Sequence, residues 1–265
     1  MRRSLILLGT AVLLCTSCAG NAGNDAEEPA RSAVTRRAHD ASSVRAAVAA
    51  TNGTTARIEE KIELRDGGTT YVLSVTGSFD LAKDKGRLAV DLPGGAISHM
   101  DEIFAGDTVY LRGVNGLEDS WGSMARDRAE AHFMLRAPLN DPEHVLRQVA
   151  AMQKVSTLGE ENVNGVPAMH YRGTLDHQTL TLRLATGVRT KADAMRDALG
   201  SEIPVFADAW VDGKGRVVRV GLSFTSMTSV TVTMTLSDLG KPVTAVAPSP
   251  GRVLPLTGVT GVLPG

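Results

Sequence analysis

The sequence predicts an α+β domain in which one curved antiparallel β-sheet packs against helices on its inner face. The first observation is the alternation of apolar and polar residues, as in "TYVLSVTGSFDL" (Thr70–Leu81) and "SVTVTMTLSD" (Ser229–Asp238). A period of two over such lengths is typical of half-buried strands. The second observation is the short turn sequences that join these stretches, such as "RDGG" (Arg65–Gly68) and "DGKG" (Asp212–Gly215). Short turns make neighbouring strands antiparallel.

In total, the alternation predicts about eleven strands. Besides the two quoted stretches, the predicted strands are Thr55–Leu64, Arg87–Leu92, Ala96–Phe104, Thr108–Gly113, Val155–Glu160, Ala168–Leu175, Thr179–Ala185, Val205–Val211 and Arg216–Thr225. So many strands exceed what a simple sandwich needs, whereas one curved sheet with helices against its inner face uses all of them.

Helical patterns interrupt the strands in three regions. They are Asp40–Ala50, Arg126–Leu135 together with Asp141–Met152, and Val188–Leu199. In the second region, Asp141 is placed as an N-cap and Pro142 occupies the first helical position. Both residue types favour these positions at a helix start. A helix is therefore predicted to begin at Pro142.

Residues 1–17 predict an export signal. Two arginines precede the uncharged run Leu5–Leu14, which is well short of the roughly 20 apolar residues that span a bilayer. The small residues Thr16 and Ser17 lie directly before Cys18, as a signal-processing enzyme requires. The chain's other cysteine, Cys15, follows a bulky leucine and is the poorer processing site. The sequence therefore predicts cleavage before Cys18.

This segment resembles the lipobox of bacterial lipoproteins, in which the cysteine thiol receives a diacylglyceryl group and becomes the new N-terminus. It departs from the usual lipobox at Cys15, where leucine is common. An ordinary secretory signal with an incidental cysteine is the alternative. The residues after Cys18 contain no further cysteine, so they offer Cys18 no disulfide partner, which favours lipid attachment.

Polar segments flank the predicted domain, residues 39–248. Residues 18–38 are small, polar and charged, and we interpret them as a lipidated flexible tether, which at some twenty residues would reach on the order of 25 Å. Residues 249–265 are predicted to form a Pro- and Gly-punctuated tail that lies along the surface or is disordered. Within this tail, "LPLTG" (Leu254–Gly258) fits a cell-wall sorting signal. A sorting signal continues into a spanning apolar run and a basic tail, and only "VTGVLPG" comes after it here.

Composition and motifs argue against several classes of function. The formal net charge is −1, without the basic excess that nucleic-acid binding demands. The sequence has neither a GxSxG elbow nor a GxxxxGK[ST] phosphate loop. None of its histidines has the HxH or HExxH spacing of a metal site. The six histidines are His39, His99, His132, His144, His170 and His177.

Two pairs of residues are candidates for catalysis. His170 and Tyr171 are neighbours on one strand and point to opposite faces. Asp208 and Asp212 flank Trp210 on one face of another strand, and we interpret them as a solvated rim and a turn-forming aspartate. We therefore expect no catalytic residues, no metal and no cofactor. An envelope hydrolase is the least favoured alternative.

Several segments, in this order along the chain, resemble one known family, the LppX/LprG group of bacterial lipoproteins. They are "GSFDL", "VYLRG", "NDPEHVL", "GEENVNGVPAMHYRGTLD", "ADAWVDGKGRVVRV" and "VTMTLSDLGKPVTAVAP", and the resemblance covers about residues 40–248. The fold of that group is similar to the lipoprotein carriers LolA and LolB. The resemblance implies a LolA-like half-barrel sheet, closed by helices around an apolar cavity that accepts acyl chains.

The function implied is that of a membrane-anchored extracytoplasmic lipoprotein, which binds or transfers a lipid or lipoglycan by burying its acyl chains. Burial contributes about 0.8 kcal/mol per methylene group, so few polar contacts are needed. We expect a monomer, lipid-attached at Cys18, on the extracytoplasmic face of the cell membrane. The residues expected to line the cavity are Leu73, Val75, Phe79, Leu146, Val149, Met152, Leu222, Phe224, Val232 and Met234.

The alternative function is that of a regulatory or structural surface lipoprotein. Such a protein would use the same fold to contact an envelope or sensor protein, without lipid carriage. Its cavity would be empty or collapsed.

Replacement of Cys18 tests the lipid attachment. Its thiol is the only atom to which the diacylglyceryl group can be attached, so Cys18→Ala should leave an uncleaved precursor or release the protein from the membrane. Detergent phase partitioning measures release from the membrane, and the mass of the product shows whether the precursor is cleaved. Cys15→Leu, which restores the commoner lipobox residue, should preserve or improve processing. If Cys18→Ala is processed and partitions like the parent, Cys18 is incidental.

Overall fold

The computed structural model describes residues 27–66, 68–91, 98–113, 119–126, 141–180, 190, 193–194, 197, 205–225 and 229–256. The chain divides into two units after Thr35. The described part of the first unit is the beginning of a helix, residues 27–35. The second unit, Arg36–Gly265, contains the sheet.

The elements whose bounds lie within the described residues are three α-helices, one 3₁₀ turn and twelve strands. The helices are α1 (Glu27–Asn52), α2 (Pro142–Ala150) and α3 (His177–Leu180), and the 3₁₀ turn is Pro250–Arg252. The strands are β1 (Thr55–Asp66), β2 (Thr69–Asp80), β3 (Lys85–Asp91), β4 (His99–Ala105), β5 (Thr108–Arg112), β6 (Trp121–Ala125), β7 (Gln153–Val163), β8 (Val166–Leu175), β9 (Val205–Asp212), β10 (Val217–Thr225), β11 (Ser229–Ser237) and β12 (Val253–Pro255). None of these helices combines the length and apolar composition of a membrane-spanning helix.

All twelve strands belong to one curved, unclosed sheet in the order β12-β6-β5-β4-β3-β2-β1-β11-β10-β9-β8-β7. It consists of two antiparallel meanders, β1–β6 and β7–β11, which are joined where β1 pairs with β11. The pairing of β12 with β6 is parallel. The predicted fold class, one curved antiparallel sheet of about eleven strands with helices on its inner face, is confirmed, with twelve strands in the described residues.

One face of the sheet is apolar because apolar and polar residues alternate along the strands. In β1, Ile58 and Ile62 are completely buried, whereas the intervening Glu59 and Lys61 are exposed. We call the buried side the inner face. It forms one continuous apolar core with α1, which contributes Val44 and Val48, and with α2. The two helices therefore cover the same side of the sheet, as predicted.

The connection between the two meanders crosses the inner face. Strand β6 ends the first meander near one side of the sheet, and β7 is the edge strand on the other side. Helix α2 lies in this connection and packs against β9 and β10. Its N-cap is Asp141, with Pro142 in the first turn, as the sequence predicts.

The segment after β11 returns along the opposite side, the outer face. Near its start, the Thr55 hydroxyl donates to the Lys241 carbonyl at 2.6 Å. Near its end, β12 pairs with β6 and the Leu256 amide donates to the Ser123 carbonyl at 2.8 Å. Strands β2 to β5 lie between these two anchoring points. Residues 241–249 therefore form a strap across the sheet, which we call the C-terminal strap.

The structure corrects some of the predicted elements. The strand predicted at Thr179–Ala185 is wrong at its start, because Thr179 lies in α3. Strands β6 and β12 were not predicted. The helix predicted at Asp40–Ala50 is α1, which begins at Glu27 and so includes part of the segment interpreted as a tether.

Other predictions fall outside the described residues. They include the export signal, Cys18, most of the helix at Arg126–Leu135 and most of the helix at Val188–Leu199. The domain boundaries stay predictions.

Gly86 leaves room for the ring of Phe79, its partner across β2 and β3. A Cβ atom at residue 86 would lie 2.1 Å from Cδ2 of this ring. The ring is fully buried against Phe104, with 5.4 Å between the ring centroids, and has little room to move. We expect Gly86→Ala to lower the free energy of unfolding by about 1–3 kcal/mol, measured by urea denaturation.

Gly213→Ala is the matched control. This glycine lies after β9, and a Cβ there would meet no atom within 4 Å. Its expected effect on the free energy of unfolding is within about 0.5 kcal/mol. If both variants lose the same free energy of unfolding, the ring of Phe79 does not limit the size of the side chain at residue 86.

Candidate functional site

Most residues predicted to line an acyl-chain cavity lie in the same buried core on the inner face. They are Leu73, Val75 and Phe79 on β2, Leu146 and Val149 on α2, Met152 after α2, Leu222 on β10, and Val232 and Met234 on β11. Each is at most 6% exposed. The tenth residue, Phe224, belongs to β10, and its side chain lies outside the described part of the structure. The contact of these residues with a ligand stays a prediction.

A buried ion pair holds the connection that crosses this face. Arg126, directly after β6, donates from Nε to Oδ2 of Asp141 at 2.5 Å and from Nη2 to Oδ1 at 2.6 Å. The side chains of Arg126 and Asp141 are 2% and 1% exposed. Asp141 Oδ1 also accepts from the amides of Glu143 and His144, at 3.1 and 3.2 Å. One carboxylate therefore caps α2 and binds the end of β6.

Two aromatic rings flank the guanidinium group. The Arg126 Cζ atom lies 5.5 Å from the ring centroid of Phe79 and 5.1 Å from that of Phe104. Both rings are buried. A cation over an aromatic face is attracted by the ring quadrupole, so Arg126 fits the apolar wall of the core as well as its carboxylate partner.

Further carboxylates surround Arg126. Its Nη1 atom forms ion pairs with Glu143 at 3.0 Å and with Asp84 at 3.2 Å. Burial opposes the charge of Arg126, but Asp141, Glu143 and Asp84 outweigh this effect and raise its pKa. The pKa of Asp84 is raised by its hydrogen bond to Glu143 and by burial. Arg147, on the surface of α2, also pairs with Glu143.

Glu60 is a second buried polar group on the inner face, and the sequence analysis missed it. It occupies the apolar register of β1, between Ile58 and Ile62, and is 4% exposed. Neither carboxyl oxygen has a hydrogen-bond partner in the described part of the chain. The signal in the sequence was the glutamate itself, which falls in phase with two isoleucines in "ARIEEKIEL".

The charge state of Glu60 is set by its surroundings. Burial is the largest cause of a raised pKa at Glu60, and the nearby carboxylates of Glu102 and Asp141 raise it further. His144 and Gln148 of α2 are also buried in the protein. Its surroundings therefore favour the protonated acid more strongly than water does for an exposed glutamate.

The outer face carries a different polar cluster, centred on His170. Its Nδ1 atom lies 2.8 Å from a Glu161 oxygen, and its Nε2 atom lies 2.6 Å from Oδ1 of Asp208. The imidazole stacks on Trp210 at 4.2 Å between ring centroids, and the Trp210 indole donates to Glu161 at 2.8 Å. Trp210 and then His170 lower the pKa of Glu161 through these hydrogen bonds.

This cluster corrects the interpretation of Asp208. The residue is not part of a solvated rim: it is 5% exposed and accepts from Arg172 as well as contacting His170. Asp212 is a turn-forming residue, as predicted, because it accepts from the amides of Lys214 and Arg216. Both ring nitrogens of His170 contact carboxylates, so the arrangement links β7, β8 and β9.

A pocket of about 300 Å³ lies between the outer face and the C-terminal strap. Its lining includes Thr76, Ser78 and Arg87 from the sheet, and Pro242 and Thr244 from the strap. It is separated from the residues predicted to line an acyl-chain cavity by the thickness of the sheet. Among the described residues, no group of three His, Cys, Asp or Glu side chains is placed to hold a metal ion.

Comparison with known proteins gives one family and several similar structures. The LppX_LprAFG lipoprotein family matches residues 44–245. LprF from Mycobacterium bovis is 14% identical, with a TM-score of 0.49, and the match covers 80% of this chain and 98% of LprF. LppX from Mycobacterium tuberculosis is also 14% identical, with a TM-score of 0.46 and coverages of 79% and 99%.

A LolA superfamily protein from Nitrosomonas europaea is more distant. It is 6% identical, with a TM-score of 0.33 and coverages of 80% of this chain and 95% of that protein. No curated protein matches the chain significantly.

Removal of the Arg126 charge should be costly. Arg126→Met leaves Asp141 and Glu143 buried without their shared cation, and breaking a buried pair in this way typically costs about 3–5 kcal/mol. We expect a loss of this size in the free energy of unfolding, measured by urea denaturation. The control is Arg147→Met, whose side chain is 52% exposed and whose ion pair should contribute less than about 1 kcal/mol. Equal losses would contradict a structural role for Arg126.

Glu60 should make stability depend on pH. The folded state holds the Glu60 proton more tightly than the unfolded chain, because the pKa in the folded state is raised. The contribution of protonated Glu60 to stability is therefore complete below about pH 4.5, the ordinary pKa. It is lost as the pH rises towards the raised pKa.

We therefore expect Glu60→Gln to be increasingly more stable than the parent as the pH rises from about 4.5 to neutrality. Urea denaturation at a series of pH values measures the difference. Glu59→Gln, on the exposed face of the same strand, is the control and should match the parent's pH dependence. Parallel curves for the parent and Glu60→Gln would rule out a raised pKa.

Proposed function

The chain belongs to the LppX_LprAFG lipoprotein family, and from this membership we propose that it is a membrane-anchored extracytoplasmic lipoprotein that binds or transfers a lipid or lipoglycan. The observation that carries the proposal is the continuous apolar inner face of the sheet, covered by α1 and α2. Lipid attachment at Cys18 would keep this face near the bilayer from which the ligand is taken.

The proposed mechanism is burial without catalysis. Acyl chains would lie between the sheet and the helices, against residues such as Val75, Val149 and Val232, while the head group stays at the rim. Each methylene group removed from water contributes about 0.8 kcal/mol, so a chain of some fifteen carbons supplies on the order of 10 kcal/mol before ordering costs. The apolar inner face is therefore sufficient to bind an acyl chain by burial.

A second candidate function is favoured by the close packing of the same inner face. The nine described lining residues are each at most 6% exposed, as in a solid core. A protein with such a core would act through its surface, contacting an envelope or sensor protein without lipid carriage. The two candidates differ in whether acyl chains are bound.

The experiment that tests the proposal combines native mass spectrometry with a bulky substitution. After gentle extraction, the protein should carry a co-purifying species with acyl chains. Val232→Trp, on the inner face of β11, should fill the space of an acyl chain. We expect it to keep its Tm and lose binding of a fluorescent fatty-acyl probe.

The control for this variant is Thr231→Trp, which lies next to Val232 on the exposed face of β11. It should keep both the Tm and probe binding. A solid core gives the opposite result: Val232→Trp would lose about 1–3 kcal/mol of stability through overpacking, and no form would bind the probe. That result, with a bare protein in the mass spectrum, would overturn lipid carriage and favour the second candidate.

A further inference from the structure

Glu60 lies in the middle of the wall that the proposed ligand would contact. On β1 it is directly paired with Val75 of β2 and Met234 of β11, and both belong to the proposed cavity lining. Its neighbours on the same face of β1 are Ile58 and Ile62. The carboxyl group is therefore the polar member of an otherwise apolar patch spanning three adjacent strands.

An unpartnered carboxyl group in this position is unfavourable for stability alone. Neither oxygen is hydrogen-bonded within the described part of the chain, and an unsatisfied buried polar group typically costs about 1–3 kcal/mol. Leucine or isoleucine would fit the alternation of β1 without this cost. Such buried groups are rare in folded proteins and require a specific explanation.

The chemistry of the site selects among ligand groups. Burial and the carboxylates of Glu102 and Asp141 favour the neutral acid at Glu60. An anionic ligand group would meet these same carboxylates, and a cationic one would require the ionised form that burial disfavours. A neutral carboxylic acid offers one O–H donor and acceptor lone pairs. A neutral hydroxyl or carbonyl oxygen matches it.

We propose that Glu60 is a polar subsite of the acyl-chain wall, where it hydrogen-bonds a neutral hydroxyl or carbonyl oxygen part-way along the ligand's chain. This inference rests on the proposed function and narrows it. The preferred ligand is an acyl lipid that carries an oxygen within its apolar portion, at the depth of β1, in addition to the polar atoms of its head group. A plain chain binds by burial alone and leaves Glu60 unpartnered.

Competition measured by native mass spectrometry tests this subsite. The full-length processed protein is offered equal concentrations of octadecanoic acid and one hydroxyoctadecanoic acid, and the experiment is repeated with the hydroxyl at successive positions. We expect at least one hydroxylated isomer to bind roughly tenfold more tightly than octadecanoic acid, as one satisfied buried hydrogen bond allows.

Three variants test whether the preference for a hydroxylated acid depends on Glu60. Glu60→Leu should bind both acids with similar affinity, because the hydrogen bond is gone and the apolar wall is complete. Glu60→Gln, which keeps a donor and an acceptor, should retain the preference. Glu59→Leu makes the same change on the exposed face of the same strand and should behave like the parent. Thermal unfolding of each variant verifies that it is folded.

The outcomes separate the two claims. If the parent binds octadecanoic acid but prefers no hydroxylated isomer, or if Glu60→Leu keeps the preference, the subsite is wrong and acyl-chain binding stands. If the parent binds neither acid, the proposed function fails, and the subsite fails with it.

Discussion

The ion pair between Arg126 and Asp141 fixes the course of the chain across the inner face. The sheet consists of two meanders whose ends, β6 and β7, lie towards opposite sides, so the connection between them must cross the apolar wall. Arg126 ends the first meander, and Asp141 begins the helix that leads to the second. Their two hydrogen bonds hold the end of β6 against the first turn of α2. The position of α2 over β9 and β10 depends on this contact, and so does the cover of the wall.

A buried charge pair is weak support for stability, because desolvation offsets much of the attraction between the charges. In this protein the ion pair instead specifies the residue at which α2 begins and its position against β6. Asp141 accepts from Arg126 and from two amides of α2, so a helix start displaced along the chain would lose both sets of bonds. The rings of Phe79 and Phe104 complete the surroundings of the guanidinium group. Glu60 differs from this pair because its oxygens have no such partners among the described residues, which is why we interpret it through a ligand.

The parts of the fold that were predictable are those encoded by neighbours in sequence. Alternation identified the long strands, and Asp141 followed by Pro142 identified the start of α2. Strands β6 and β12 escaped prediction because "WGSMA" and "VLP" are too short to show a period, and β12 finds its partner 130 or more residues away. The partners of Arg126 are likewise 15 and 42 residues distant, and no local pattern marks them. Glu60 stands in phase with Ile58 and Ile62 in the sequence of β1, so a charged residue on the inner face could have been predicted, but it was missed.

An unclosed sheet has two edges, and each needs protection from pairing with other chains. At one side, the C-terminal strap brings β12 alongside β6, so the short strand β12 replaces β6 as the edge. At the other side, β7 pairs irregularly with β8, with register shifts near Lys154 and Gly159, both of which have positive φ angles. Irregular edge strands are poor templates for further strands. A closed barrel would need neither device, but closure would also seal the inner face. The strap and the irregular β7 are thus the means by which this open sheet avoids pairing with other chains.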